Sequence, residues 1–255
     1  MRAVRAIAAN TFREAVRDRI LYLFIGFAVV MVVSSKLFGM LTVGDETKII
    51  KDIGLAAMQF FSMLIAVLMS MILISREVDS RTVFNILAKP VRRWQFILGK
   101  YLGLVSIVAA NLVLITVVLM LTVLVVAGEL DLMLLFAGAM TMLEMMVLAA
   151  FATLFAVLTR PILGSLMTLA VFVVGHMSAD LWLLTRQLPG AVTKAVISVV
   201  YYLLPNLERF NFRTEVVHDL SIPGAAIGWA VLYAAAFVVV VLFLANLRFR
   251  GKDLK

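Results

Sequence analysis

The sequence predicts an all-α membrane protein with six transmembrane helices, and three observations support this prediction. The 255 residues are 64% hydrophobic and 15% charged, whereas soluble domains average about 45–50% apolar and about 25% charged. Apolar runs as long as the roughly 20 residues that cross a bilayer recur along the chain. The basic residues that give the net charge of +8 flank these runs, which is typical of membrane proteins rather than of nucleic-acid binders. The composition therefore argues against a soluble enzyme.

Six apolar runs are long enough to be spans. They cover residues 20–43, 53–74, 101–127, 132–158, 162–184 and 224–247. A further apolar stretch, 191–204, lies between Pro189 and Pro205 in the outer loop 185–223. It is shorter than a span, and such segments are typically interfacial or re-entrant. We therefore expect one transmembrane domain over residues 1–255, with a short outer re-entrant or interfacial helix between spans five and six.

The basic residues also predict the orientation. Sixteen of the 23 Lys and Arg residues fall before the first span, in loop 75–100, in the turn at Arg160 or in the tail. Cytoplasmic loops carry this excess of positive charge, so both termini are expected to be cytoplasmic. Residues 1–19 place apolar side chains on one helical face and arginines on the other. This pattern predicts an amphipathic interfacial helix before the first span.

Several kinds of chemistry have no support in the chain. The absence of cysteine excludes disulfides, zinc–thiolate sites and thiol catalysis. Glu144, His176, Asp180 and His218 make a poor metal set, because the histidines are far apart and no H-x-x-x-H motif occurs. The chain also lacks the G-x-x-x-x-G-K-[ST] phosphate loop of ATPases. We therefore expect no catalytic residue, no cofactor site and no metal site, and hence no enzyme activity on this chain.

The loop 75–100 is longer and more patterned than a simple tether between two spans. Pro90 separates a stretch without Gly or Pro, 75–88, from a second amphipathic stretch that leads into the third span. Two interpretations remain open on these grounds alone. The loop is either an interfacial segment that satisfies the positive-inside pattern or a docking surface for a cytoplasmic partner.

Three motifs resemble the integral-membrane permeases of ABC-2 type exporters. The loop reads S-R-E-V-D-S-R-T-V-F-N-I-L-A-K-P-V-R-R-W-Q-F-I-L-G-K over 75–100. The stretches T-F-R-E-A-V-R-D-R at 11–19 and Y-Y-L-L-P-N-L-E-R-F-N at 201–211 are similar to the NosY-like branch of that family. The resemblance extends over essentially the whole chain, including the number of spans.

The resemblance implies a permease that works as a homodimer in the bacterial inner membrane, contacts membrane lipid and is driven by a separate ABC ATP-binding subunit. That subunit would bind the ATP and Mg, and a coupling helix within loop 75–100 would dock on it. The residues implied in ATPase coupling are Glu77, Asp79, Arg81, Thr82, Val83, Phe84, Leu87, Pro90 and Arg93. The outer segment 205–223 could receive a periplasmic partner, or could fold over the bundle.

Polar residues inside the spans suggest other functions. A carboxylate such as Glu144 is costly near the middle of a membrane and should face the bundle interior. It could hydrogen-bond to Ser165 or Thr168 of the next span, or it could carry protons. His176 and Asp180 are four residues apart, so they could pair on one helical face, which we expect much nearer the outer surface. The alternatives to an ABC permease are thus a proton- or ion-coupled secondary transporter using Glu144 or the His176–Asp180 pair, and a non-transporting membrane assembly factor.

Single cysteines test the predicted topology, because the native chain has none. In intact cells, Thr47→Cys and Asn211→Cys should react with a membrane-impermeant thiol reagent, since both positions are expected outside. Ser80→Cys and Asp253→Cys should react only after the cells are permeabilised. Labelling at position 253 from outside would contradict the six-span arrangement.

Overall fold

The computed structural model describes residues 2–40, 45–79, 92–178 and 191–250. These residues are almost entirely helical and contain no strand. The helices are α1 (Arg2–Val16), α2 (Arg19–Gly39), α3 (Glu46–Asp79), α4 (Arg93–Ala127), α5 (Met133–Leu158), α6 (Pro161–His176), α7 (Ala191–Leu203), a 3-10 helix (Leu207–Phe210), α8 (Arg213–Val217) and α9 (Gly224–Arg250).

Five of the described helices, α2, α3, α4, α5 and α9, are long and apolar enough to cross a membrane. The run predicted as the fifth span, 162–184, contains α6, which has 16 residues and is therefore about 24 Å long. This is shorter than the hydrocarbon core of roughly 30 Å. Residues 179–190 lie outside the described ranges. The structure thus supports an all-helical membrane protein with five candidate spans, and the sixth span stays a prediction.

The central helices extend beyond the apolar runs that predicted them. α3 has 34 residues and α4 has 35, so each is about 50 Å long. Residues 75–79 of the predicted loop continue α3, and residues 93–100 belong to α4. Hydropathy marks where a chain meets water, whereas a helix ends where its hydrogen-bond ladder stops. Polar residues without Gly or Pro can therefore prolong a helix outside the membrane.

The bundle is built around α3, α4 and α5, which pack against one another. α2 lies against α3 and α4, α6 against α5 and α3, and α9 against α5 and α4. Of the residues in the most apolar stretch of α5, 67% are buried, against 22% in α2 and 17% in α9. The peripheral helices α2 and α9 therefore leave wide apolar faces for lipid or for another protein chain, whereas α5 lies at the centre of the bundle.

The N-terminal helix α1 packs on the first turns of α4, where Gly99 and Gly103 allow close contact. A Cβ atom at Gly99 would lie 2.7 Å from Cβ of Ile7, and one at Gly103 would lie 2.5 Å from Cβ of Thr11. Helices use such small-x-x-x-small spacing to approach closely. Val4 and Thr11 are buried. The apolar face predicted to enter the membrane surface thus contacts protein, and the interfacial position of α1 stays a prediction.

The outer segment between α7 and α9 folds over the end of the bundle. The 3-10 helix and α8 bury Leu207, Phe210, Val216 and Val217. They contact α3, α5 and α6. We call residues 205–219 the outer cap. α7 occupies the stretch in which a re-entrant or interfacial helix was expected, and its depth in the membrane stays a prediction.

The contact between α1 and α4 predicts that Gly103→Ala is destabilising. The new Cβ atom would also lie 3.0 Å from the carbonyl oxygen of Ala8, so α1 must shift. Overpacking of this kind costs about 1–3 kcal/mol. The thermal unfolding midpoint in detergent should fall, and trypsin should cleave within α1 more readily.

Gly228→Ala is the matched control, because nothing lies within 4 Å of a Cβ atom at Gly228 in α9. This variant should unfold at the wild-type temperature or slightly above it. Equal stability of the two variants would show that α1 is not held by this contact.

Candidate functional site

Three polar side chains from three helices meet inside the bundle. Gln59 of α3 donates from Nε2 to Oε2 of Glu144 on α5, at 2.9 Å. The same Nε2 atom lies 2.8 Å from Nε2 of His176 at the end of α6. His176 Nε2 is in turn 3.4 Å from Oε1 of Glu144. We call these three residues the polar cluster.

The connection between α5 and α6 brings Glu144 and His176 together. α6 begins at Pro161, after a short turn that follows the end of α5 at Leu158. The missing N–H and fixed φ of proline suit it to this first helical position. Counted from the facing helix ends, Leu158 and Pro161, Glu144 lies about 21 Å along α5 and His176 about 23 Å along α6. The two side chains therefore reach nearly the same depth.

This geometry corrects two expectations. The prediction that His176 lies much nearer the outer face than Glu144 was wrong, because both residues lie at nearly the same distance from the turn that joins α5 and α6. Ser165 and Thr168 were also wrong as partners of Glu144. Both hydroxyls donate within α6, to the carbonyl oxygens of Ile162 and Gly164 at 2.8 Å.

Gln59 was missed by sequence reasoning. It lies in a run without charge, and a search for ionisable residues passes over an amide. A signal was nevertheless present, since Gln59 is a strongly polar side chain within the apolar run 53–74. The predicted partner of His176, Asp180, lies outside the described residues, so that pairing stays untested.

The hydrogen bonds define the state of the imidazole. His176 Nδ1 lies 3.0 Å from the carbonyl oxygen of Phe172. A carbonyl only accepts, so Nδ1 carries a proton. In the neutral ring, Nε2 is then the acceptor for Gln59. The Phe172 ring contacts the imidazole, with 4.4 Å between centroids.

Glu144 is almost completely enclosed. Its exposure is 1%, and its Oε1 atom has no hydrogen-bond donor among the described residues. A small cavity of about 20 Å³ lies beside it, enough for about one water molecule. The lining residues are Leu55, Gln59, Ala137, Thr141, Glu144, Phe210, Asn211, Phe212 and Arg213. The outer cap thus forms one wall of the cavity, and the polar cluster forms another.

Ion pairs hold the outer cap on the bundle. Lys51 near the start of α3 pairs with Asp131 at 2.6 Å and with Asp219 of the cap at 3.1 Å. The next residue, Asp52, accepts from Nε of Arg213 at 2.5 Å. The side chain of Lys51 is only 7% exposed. Two consecutive residues of α3 therefore attach the cap.

A second attachment joins the cap to α9. The hydroxyl of Tyr233 accepts from the backbone N–H of Asn206 at 2.7 Å. The guanidinium of Arg209 lies over the Tyr233 ring, 4.9 Å from its centroid, a distance that allows cation–π attraction. The cap also packs tightly beside His176. A Cβ atom at Gly175 would lie 2.7 Å from Cγ of Leu207.

The residues predicted to couple to an ATPase are described only in part. Glu77 and Asp79 lie in the last turn of α3. Arg93, the first residue of α4, donates from Nη1 to the carbonyl oxygen of Phe249 on α9 at 3.0 Å. Phe96 stacks on the ring of Phe249. The other six, Arg81, Thr82, Val83, Phe84, Leu87 and Pro90, lie outside the described residues.

Among the described residues, no group of three or more His, Asp or Glu side chains could hold a metal ion. The long apolar helices, packed around one buried polar cluster, define a multi-pass α-helical membrane protein. The chain matches the model of the family described as ABC-2 family transporter protein over residues 5–254, and it therefore belongs to that family. Comparison with curated proteins yields no match.

The family assignment confirms the resemblance to ABC-2 type permeases. Proteins of this family are membrane transport components, so the chain is a multi-pass membrane protein with a role in transport. Its placement in the NosY-like branch stays a prediction.

The ion pairs of the cap predict that Lys51→Met is destabilising. The change would leave Asp131 and Asp219 without their shared cation, and one of them is largely buried. Loss of one partner of a buried polar contact costs about 1–3 kcal/mol. The apparent free energy of unfolding, measured by denaturant titration in micelles, should fall by that amount.

Lys48→Met is the control, because Lys48 pairs with Asp45 on the surface, where both side chains are about half exposed. Exposed pairs contribute little, so the change should stay within about 0.5 kcal/mol. If both variants lose the same stability, the Lys51 pairs do not hold the cap.

Proposed function

We propose that this chain is the permease subunit of an ATP-driven ABC exporter. It forms the translocation path as a dimer and is coupled through segment 75–100 to a separate ATP-binding subunit. The family match over residues 5–254 carries this proposal. The chain has no phosphate loop of its own, so ATP and Mg bind on the partner. The proposed location is the inner membrane, with both termini cytoplasmic.

The continuity of α3 supports a mechanical link between the partner and the transport path. The helix has 34 residues from Glu46 to Asp79, which is about 51 Å and exceeds the hydrocarbon core by roughly 20 Å. It carries Lys51 under the outer cap, Gln59 in the polar cluster, and Glu77 in its last turn. A docking event next to Asp79 can therefore move the polar cluster and the cap through one hydrogen-bonded rod.

The second helix that borders the loop is also fixed to the bundle. α4 begins at Arg93. The residue before it, Arg92, donates its backbone N–H to Oε1 of Gln95 at 3.0 Å. The contacts of Arg93 and Phe96 with Phe249 join this end of α4 to the end of α9. A force on the loop is thus passed to α3, α4 and α9 together rather than lost in a flexible tether.

The coupling residues provide the test of this proposal. Phe84→Ala removes an apolar anchor, and Glu77→Arg reverses a charge at the docking surface. Loss of an interface anchor typically costs about 2 kcal/mol, roughly a thirtyfold loss of affinity. Both variants should reach the membrane at normal levels, retain less ATP-binding subunit on purification, and show transport that falls in step with the bound subunit.

Two variants serve as matched controls at positions away from the loop. Phe38→Ala truncates an exposed aromatic side chain near the end of α2, and Lys194→Glu reverses an exposed charge in α7. Both should retain the ATP-binding subunit. If Phe84→Ala and Glu77→Arg keep full association and full transport, the loop is only an interfacial tether. Transport without any bound ATPase would favour an ion-coupled transporter.

A further inference from the structure

We propose that Gln59, Glu144 and His176 form a binding site for one exchangeable proton, and that the proton on this site keeps the outer cap closed. The proposal goes beyond the permease function, because it assigns a ligand to the polar cluster and a consequence to its binding. It rests on three observations. Glu144 is enclosed, the cations around it are paired with other carboxylates, and the outer cap lines the same cavity as Glu144.

The first step is the charge of the cluster. Among the described side chains, the only ion-pair partner of Glu144 is His176, at 3.4 Å. A carboxylate that is 1% exposed is very costly to keep charged without a cation. One proton, placed on Glu144 or on His176, makes the pair neutral overall. The closed structure is therefore the state in which the two residues hold one proton between them.

The cations of the adjacent elements are paired with other carboxylates. Arg213, which lines the cavity, is paired with Asp52, and Lys51 is paired with two aspartates. Glu208 of the 3-10 helix adds a negative field at Glu144. The charged and titratable groups on the elements packed around the cluster include Lys51 and Asp52 of α3, Asp131 before α5, His176 of α6, Glu208, Arg209, Arg213, His218 and Asp219 of the cap, and Tyr233 of α9.

The size and donor set of the site point to a proton rather than a metal ion. Calcium and magnesium take six or more oxygen ligands, whereas the cluster has one carboxylate, one amide and one imidazole. The cavity holds about one water molecule. A hydronium ion in that position can transfer a proton to Oε1 of Glu144 or to Nε2 of His176. One O–H bond of hydronium breaks, one O–H or N–H bond forms, and a neutral water remains.

The cavity links this proton to the cap. Phe210, Asn211, Phe212 and Arg213 of the cap line the cavity that Glu144 also lines. Loss of the proton leaves a net negative charge at the cluster, and such a charge requires water. Water can reach Glu144 in quantity where the cap wall opens. Deprotonation should therefore open the cap, and protonation should close it.

Cysteine labelling in full-length protein reconstituted into nanodiscs tests whether deprotonation opens the cap. Thr141 is buried, lines the cavity, and bonds only to Ala137 of its own helix among the described residues. Thr141→Cys therefore reports on opening. Ser221→Cys, at an exposed outer position, corrects for the pH dependence of thiol reactivity. The measured quantity is the labelling rate at 141 divided by the rate at 221.

This ratio should rise with pH, with a limiting slope of about tenfold per pH unit for one proton. In the Glu144→Gln background it should stay low at every pH, because the amide does not lose a proton. A ratio independent of pH in the parent, or the same pH dependence in Glu144→Gln, would overturn the proposal.

His176→Asn keeps the test decisive if Glu144→Gln fails to fold. The asparagine amide still hydrogen-bonds but cannot share a proton with Glu144. The midpoint of the pH dependence should therefore move by at least about one pH unit. An unchanged midpoint would show that His176 does not share the proton, and the proposal would fail. Neither readout depends on an ATP-binding subunit, so the result is independent of the proposed function.

Discussion

The contact of Glu144 with Gln59 and His176 sets the heights of three helices. A carboxylate enclosed in a membrane protein must find donors within the protein. Here the donor is the Gln59 amide of α3, at 2.9 Å from Oε2, and the His176 ring of α6 lies 3.4 Å from Oε1. Sliding α3 or α5 by one residue, about 1.5 Å, would disrupt the Gln59–Glu144 hydrogen bond, and sliding α6 would move His176 away from both residues. The outer cap packs beside this cluster, and both line one small cavity.

α3 connects the parts of the molecule on which the proposed function depends. Its outer end holds the cap through Lys51 and Asp52, its middle contributes Gln59 to the cluster, and its last turn ends beside the loop. The three positions lie on one uninterrupted helix. Events at the two ends of α3 are thus mechanically related, although the ends are about 51 Å apart.

The sequence predicts the elements of this fold better than their ends. Hydropathy over about 20 residues measures transfer of a helix into lipid, which is a local property and therefore readable from the chain. The first, second, third, fourth and sixth apolar runs each coincide with a membrane-length helix. The end of α3 at Asp79 and the start of α4 at Arg93 extend beyond those runs, because backbone hydrogen bonding continues after the apolar residues end.

By itself, the sequence determined the helical membrane class, the family, and the unusual position of Glu144 in an apolar run. It could not determine the partners of Glu144. Which side chains meet depends on the rotation and depth of each helix, and these follow from packing of distant segments. Only the tertiary structure therefore selected Gln59 and His176, and placed Gly99 and Gly103 against α1.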